Sequence, residues 1–338
     1  MTYAEVLAPQ SKLTARGPEE MKAKKLLSEV IRFRRMAHSP HSCFPADCPV
    51  CMGPHLPKVL KAVQNGEKIR FVLPAFPGKS PNKAKVLGVL PDMAEKEALK
   101  FLNNLCDRIK VHYNPGAEII ICSDGRVFND IVGIRDEDLT AYQKEIGQLI
   151  QKMGLKNLST FDLDTIEKAE NYDNLRRDLM EKYGASPEEN RAKVKRGTQD
   201  DATPEEIETH RHYLGTTRFL VEDSLFPGQT KSKNALQKEC RAKAYEVLRR
   251  SNAWTSLIAE YFPEAVRLSI HPQACGSQKL GIQLVGASNW LTPWHGVAVD
   301  IGSNFVLMKR RRAEKLNAKL ILDSRGEPSH FKLEKIEL

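Results

Sequence analysis

The stretch Ile69–Ser80 reads IRFVLPAFPGKS, and a second stretch of the same design, AEIIICSDGRVFND, spans Ala117–Asp130. Each opens with an apolar run suited to a buried strand, IRFVL at 69–73 and IIIC at 119–122, and passes directly into a glycine-containing loop. Between them, Ala98, Leu99, Leu102, Leu105, Cys106 and Ile109 recur at helical spacing within Pro91–Ile109. Strand, helix and strand over about fifty residues make a βαβ unit. Its right-handed crossover sets the strands parallel, so both loops leave the same edge of the sheet. Ligands bind at that edge in open α/β sheets. Lys79, Ser80, Lys83, Lys85, Asp124, Arg126 and Asp130 are thereby predicted to surround one crevice.

Outward from this unit, apolar periodicity predicts helices over 20–36, 56–65, 136–153, 205–214 and 232–262, with 160–183 helical and highly charged. Arg218–Val221 reads as a separate apolar segment. Strands are expected at 266–270, 280–285, 296–301 and 304–308, the last two joined by a hairpin at Gly302-Ser303-Asn304. Residues 1–20 read as a flexible arm, 38–57 as irregular, and the polar tract 184–204 as a surface loop or lid. The expected fold class is α/β, a Rossmann-like sheet with helical additions, and 21–338 form a single domain.

A chain of 338 residues with 41% hydrophobic and 28% charged content has the composition of a soluble globular protein with a substantial core. It has no eighteen-residue apolar run for a membrane helix, and its first residues lack the apolar stretch of an export signal, so a cytoplasmic location is expected. The net charge of +9 suits anionic small molecules as well as nucleic acid. Lys309–Arg312 is a short basic run without interleaved aromatics, so it reads as a solvated surface or an anion-facing strand end, and neither nucleic acid nor membrane is expected as a partner.

Seven scattered cysteines argue against a disulfide framework. Cys43, Cys48 and Cys51 share a segment with His38, His41 and His55, and the Cys48-Pro-Val-Cys51 spacing lets two thiolates reach one zinc ion. No second CxxC or HxxxH follows at finger distance, so the expectation is an unmetallated local fold, with no metal assigned.

Gly78-Lys79-Ser80 is not a Walker A loop, because Leu73 stands where its first glycine belongs and Pro81 follows instead of a helix. The loop still offers Lys79, Ser80, Lys83 and Lys85 to a phosphate or carboxylate; solvated surface lysines are the alternative. Asp124-Gly-Arg126 sets an acid and a base around a tight turn, as an active site or as a structural salt bridge. In Arg267-Leu-Ser-Ile-His271, strand alternation places Arg267, Ser269 and His271 on one face. Trp290-Leu-Thr-Pro-Trp294-His295 offers a wall for an aromatic substrate or simple packing. Neither a Ser-His-Asp elbow, an HExxH helix nor a GxGxxG turn occurs.

These blocks resemble the isocyanide synthase family, also called the pyoverdine/dityrosine biosynthesis family. The matching segments are FVLPAFPGKSPN (71–82), KVLGVLPDMAE (85–95), YNPGAEIIICSDGRVFNDIVGI (113–134), AWTSLIAEYFPEAVRLSIHPQ (253–273) and WLTPWH (290–295), in a resemblance covering about 20–310. It implies an enzyme that turns the α-amino group of tyrosine or tryptophan into an isonitrile. Carbon comes from C2 of ribulose 5-phosphate, no cofactor takes part, and the product often passes to an iron/2-oxoglutarate-dependent oxygenase. A yeast branch makes N-formyl tyrosine instead. Such chemistry needs anion clamps and proton-transfer groups. Asp124, His271, Asp130 and His295 are the expected catalytic residues, and Lys79, Ser80, Lys85, Arg126, Arg267, Ser269 and Trp294 the expected binding residues. The competing reading is another phosphosugar-dependent transferase that uses the same crevice.

Overall fold

The computed structural model describes residues 17–37, 43, 45–166, 171–286 and 291–333. Its centre is a five-stranded parallel sheet of β1 (Ile69–Leu73), β2 (Ala117–Cys122), β3 (Leu158–Phe161), β4 (Val266–Ser269) and β5 (Leu280–Gly281). The apolar runs of β1 and β2 pair in register, Phe71 opposite Ile119 and Leu73 opposite Ile121. They are continuous because both faces are covered. Phe71, Leu73, Ile119 and Ile121 pack under helices Pro18–Ile31, Leu56–Asn65, Met93–His112 and Asp136–Lys152. Val72, Ile120 and Cys122 face the opposite core, built with Tyr172–Tyr183 and Lys233–Tyr261.

The strand order is β3-β2-β1-β4-β5. From β1 the chain steps outward to β3, then returns to lay β4 on the other flank of β1. The winding reverses between β1 and β4, and such a switch point leaves a crevice beyond the strand ends.

Several expectations are corrected at this level. Within 160–183, the chain first completes β3, an edge strand whose middle residues are exposed. The tract 184–204 is not a loop: Ser186 and Glu189 form a capping box that starts helix Pro187–Arg196, whose Asn190 and Val194 are buried. Helix Pro204–Ser224 runs through Arg218–Val221, which is no separate segment. The first helix begins at Pro18, within the expected arm; residues 1–16 lie outside the described residues.

A second sheet, in the order β7-β6-β9-β8, contains β6 (Val297–Asp300), β7 (Phe305–Met308), β8 (Lys319–Leu322) and β9 (Pro328–Lys332). The hairpin at Gly302 joins β6 to β7 as expected, whereas the strand expected at 280–285 is only the two residues of β5. The basic run opens helix Arg310–Lys315, where Arg310 donates to the Lys83 and Val86 carbonyls, both at 2.9 Å, and Lys309 pairs with Glu222 at 3.0 Å. No described helix is long and apolar enough to cross a membrane.

Candidate active site

The loops after β1 and β2 do meet at one edge. The Ser123 hydroxyl donates to the Phe76 carbonyl at 3.0 Å, and Gly125 lies so close to Pro77 that an added Cβ would stand 2.4 Å from its carbonyl oxygen. Phe76 holds a left-handed backbone with φ 60°, uncommon for a bulky residue. Its ring is buried against Trp294, with centroids 5.4 Å apart. Trp294 is therefore packing for this loop, with its carbonyl accepting from the Ser80 amide at 2.9 Å, and it does not wall an open pocket. Trp290 lies outside the described residues.

Three polar groups line this edge. The first is Asp124 with Arg267. Arg267 sits on β4 opposite Val72 of β1 and donates through Nη2 to the Thr255 hydroxyl at 3.2 Å. Its Nε and Nη1, and Oδ1 of Asp124, are buried without a hydrogen-bond partner. Burial, only partly offset by a hydrogen bond from its own backbone and by the charge of Arg267, pushes the Asp124 carboxyl up to about 6. Burial lowers Arg267 to about 10, so it stays charged at neutral pH. Buried polar atoms without partners are rare. Two such groups of opposite charge, each felt in the titration of the other, make this edge a candidate ligand site.

The second group joins Ser80, Lys85 and His295 through Asp223, which sequence reasoning missed. Ser80 donates to Asp223 at 2.7 Å, Lys85 forms an ion pair with the same carboxylate, and Lys85 Nζ lies 3.3 Å from His295 Nδ1. Burial pushes His295 down to about 4 against the pull of Asp223, which leaves a neutral imidazole at neutral pH. The third group is His271 with His212, ring centroids 4.8 Å apart, and Lys279 paired with Glu208 at 2.8 Å. His271 is exposed as a residue, but its ring packs against His212, and desolvation by the surrounding protein together with the charges of Lys279 and Arg35 lowers its pKa to about 4.

One helix roofs the second and third groups. Glu208, His212, Phe219 and Asp223 of Pro204–Ser224 recur at helical spacing, so one face carries all four. The signal was present in the sequence but lay across a segment read as broken. A separate groove of about 290 Å³ runs beside it, between this helix and Lys233–Tyr261, lined by Tyr213, Thr217, Val221, Gln237 and Arg241.

Several expected site residues are committed elsewhere. Lys79 is buried, with Nζ 2.8 Å from Asp92, 2.7 Å from Glu95 and 3.3 Å from the Pro293 carbonyl. It fastens the loop to the capping box that starts helix Met93–His112 and has no donor left for an anion. Arg126 is fully buried, bonds Asp136 and Thr140 at 2.7 Å each, and lies 3.6 Å over the Tyr172 ring. Its two terminal nitrogens hold neighbouring helices together, while Nε is buried without a partner. Asp130 is held by Arg250 at 2.9 Å and Arg176 at 3.5 Å. Strand β4 stops at Ser269, whose hydroxyl accepts from the His271 amide at 3.1 Å, so alternation does not carry His271 onto the Arg267 face.

Comparison with known proteins now decides the family. The family model described as pyoverdine/dityrosine biosynthesis protein matches residues 59–321. The chain belongs to this family. The L-tyrosine isonitrile synthase of Xenorhabdus nematophila is 46% identical over 315 residues, covering 92% of this chain and 91% of that protein. An L-tryptophan isonitrile synthase of Fischerella ambigua is 42% identical, with 91% of each covered. The crystal structure of PvcA from Pseudomonas aeruginosa superposes with a TM-score of 0.84 at 41% identity, covering 93% of this chain and all of that one. This member of the pyoverdine/dityrosine biosynthesis family is thus an enzyme of the isocyanide synthase type, and its three polar groups at the sheet edge are the candidate catalytic surface.

Proposed function

We propose that the enzyme converts the α-amino group of an aromatic L-amino acid into an isonitrile, taking the carbon from C2 of ribulose 5-phosphate. The observation that carries this reading is that Nε and Nη1 of Arg267 and Oδ1 of Asp124 are buried with no hydrogen-bond partner. An α-amino acid presents a carboxylate and an ammonium a short distance apart. Arg267 donates to the carboxylate from its unpartnered N–H groups. Asp124 faces the amine. With its pKa raised to about 6, it is mostly ionised at neutral pH yet basic enough to remove the proton that frees the amine for attack on the sugar ketone.

Lys85, Ser80 and His295 receive the phosphosugar, Asp223 holding Lys85 until the phosphate arrives. Neutral His295 accepts a proton and returns it during loss of water and phosphate and during cleavage of the C1–C2 and C2–C3 bonds that frees C2 from the sugar, and His271 serves the opposite end of the crevice. The names of the tyrosine and tryptophan enzymes among the relatives support the aromatic substrate. A sugar-phosphate donor fits a cytoplasmic reaction, and an iron/2-oxoglutarate-dependent oxygenase would consume the product.

The test is incubation of the purified protein with tyrosine or tryptophan and ribulose 5-phosphate, read by isonitrile infrared absorption and product mass. The expected result is an isonitrile that is lost when the phosphosugar is omitted. A formamide in its place, or no product from either amino acid, overturns the proposal.

A further inference from the structure

Outside the crevice, Cys43, Cys48, Cys51 and Cys275 form a cluster. Their sulfurs all lie within 4.8 Å of one another. Cys48 and Cys275 are 3.8 Å apart, Cys43 and Cys51 3.7 Å, and Cys51 and Cys275 3.3 Å. Four thiolates at about 2.3 Å from one ion at tetrahedral angles stand about 3.8 Å from each other. The fourth ligand, absent from any local spacing motif, comes from the loop after β4. His38 and His41 lie outside the described residues.

We propose that these four cysteines bind a structural zinc ion that ties the N-terminal segment to the loop carrying His271.

The surroundings are built for it. Gly276, with φ +81°, follows Cys275 and comes close enough to Val50, between Cys48 and Cys51, that an added Cβ would stand 3.2 Å from that side chain. A larger residue there would push the two ligand loops apart. Arg34 donates to the Cys43 carbonyl at 2.6 Å and reaches its sulfur at 3.5 Å. Four thiolates around a divalent cation leave a net negative centre, and a guanidinium beside it orients one ligand and offsets that charge. The spacing suits a single ion, and an all-sulfur tetrahedral set selects zinc among common divalent metals. All four thiols must be reduced to bind, so the site is compatible with a reducing compartment.

The experiment measures metal in protein purified under reducing conditions without added metal, by mass spectrometry of the elements. About one zinc per chain is expected. Cobalt substituted for zinc should show the intense visible absorption of tetrahedral thiolate coordination. Cys275→Ser and Cys48→Ser should each lose the stoichiometric zinc, while Cys240→Ser, a cysteine outside the cluster, retains it. Should the cluster variants not fold, native-state alkylation of the wild type decides, since zinc protects all four thiols until a chelator is added. Wild-type protein without zinc that takes up no stoichiometric zinc after reduction overturns the proposal. So does an iron–sulfur chromophore.

Discussion

At the scale of single residues, the site rests on a conflict between burial and charge. Folding holds the Asp124 carboxyl at about 6, above its ordinary 3.8, so the native state favours its neutral form. That contribution is complete below the ordinary value and is lost as pH rises through about 6. Asp124→Asn should therefore be more stable than the wild type at pH 8, by on the order of 1–3 kcal/mol, with the gap closing toward pH 4. The same variant should lose turnover by ~10²–10⁴-fold, and the wild-type kcat/KM should fall on the acid side near pH 6. Urea unfolding at both pH values beside steady-state kinetics checks both; a destabilised Asp124→Asn would show that the carboxylate is structural. Lys79 has the opposite character. Lys79→Ala strands Asp92 and Glu95 as buried carboxylates, so it should cost about 3–5 kcal/mol in urea unfolding. In the sequence, Lys79 and Arg126 read as clamps because each sits at the ligand edge. Edge position is legible in a sequence, but whether a partner such as Asp136 already holds the charge depends on a helix that only tertiary packing brings near.

At the scale of elements, close contact between the two edge loops is enforced at Gly125. Gly125→Ala would drive a methyl group into the Pro77 carbonyl and the Leu139 side chain, at 2.4 and 2.7 Å. It should cost about 1–3 kcal/mol by overpacking and lower turnover more than that loss of stability alone explains, because the Phe76–Ser80 loop must move. Thermal unfolding and kinetics on the same preparation separate the two effects. Elements buried on both faces were the readable ones: β1 and β2 show as unbroken apolar runs, and helix Met93–His112 as a clean period. β3 was missed because only its end residues are buried, and β8 because it is largely exposed. The roof helix was cut short since Gly215, Thr216 and Thr217 are weak helix formers, and packing against Lys233–Tyr261 overrides them.

At the scale of the whole molecule, the crevice is assembled from chain segments far apart in sequence, so substrate binding should report on global stability. Tyrosine or tryptophan at a hundred times its Kd should raise the unfolding free energy by about 2.7 kcal/mol in the wild type. Arg267→Ala should abolish most of that gain at the same ligand concentration while leaving the phosphosugar effect in place. Differential scanning calorimetry with each ligand alone makes the comparison; equal loss of both gains would mean that Arg267 does not distinguish the two substrates.

The position of β4 has a consequence for how the chain comes into being. On a ribosome, β1, β2 and β3 are made early and are close enough in sequence to pair among themselves, but β1 then waits with one edge bare until Val266–Ser269 is synthesised. At the usual 5–20 residues per second that wait is ~10–40 s. A hydrophobic strand edge left open that long is a template for pairing with the wrong chain. The helical excursion between β3 and β4 gives the nascent protein local contacts to make in the interval, so yield in a foreign host should depend on elongation speed and chaperone supply at least as much as on the stability of the finished fold.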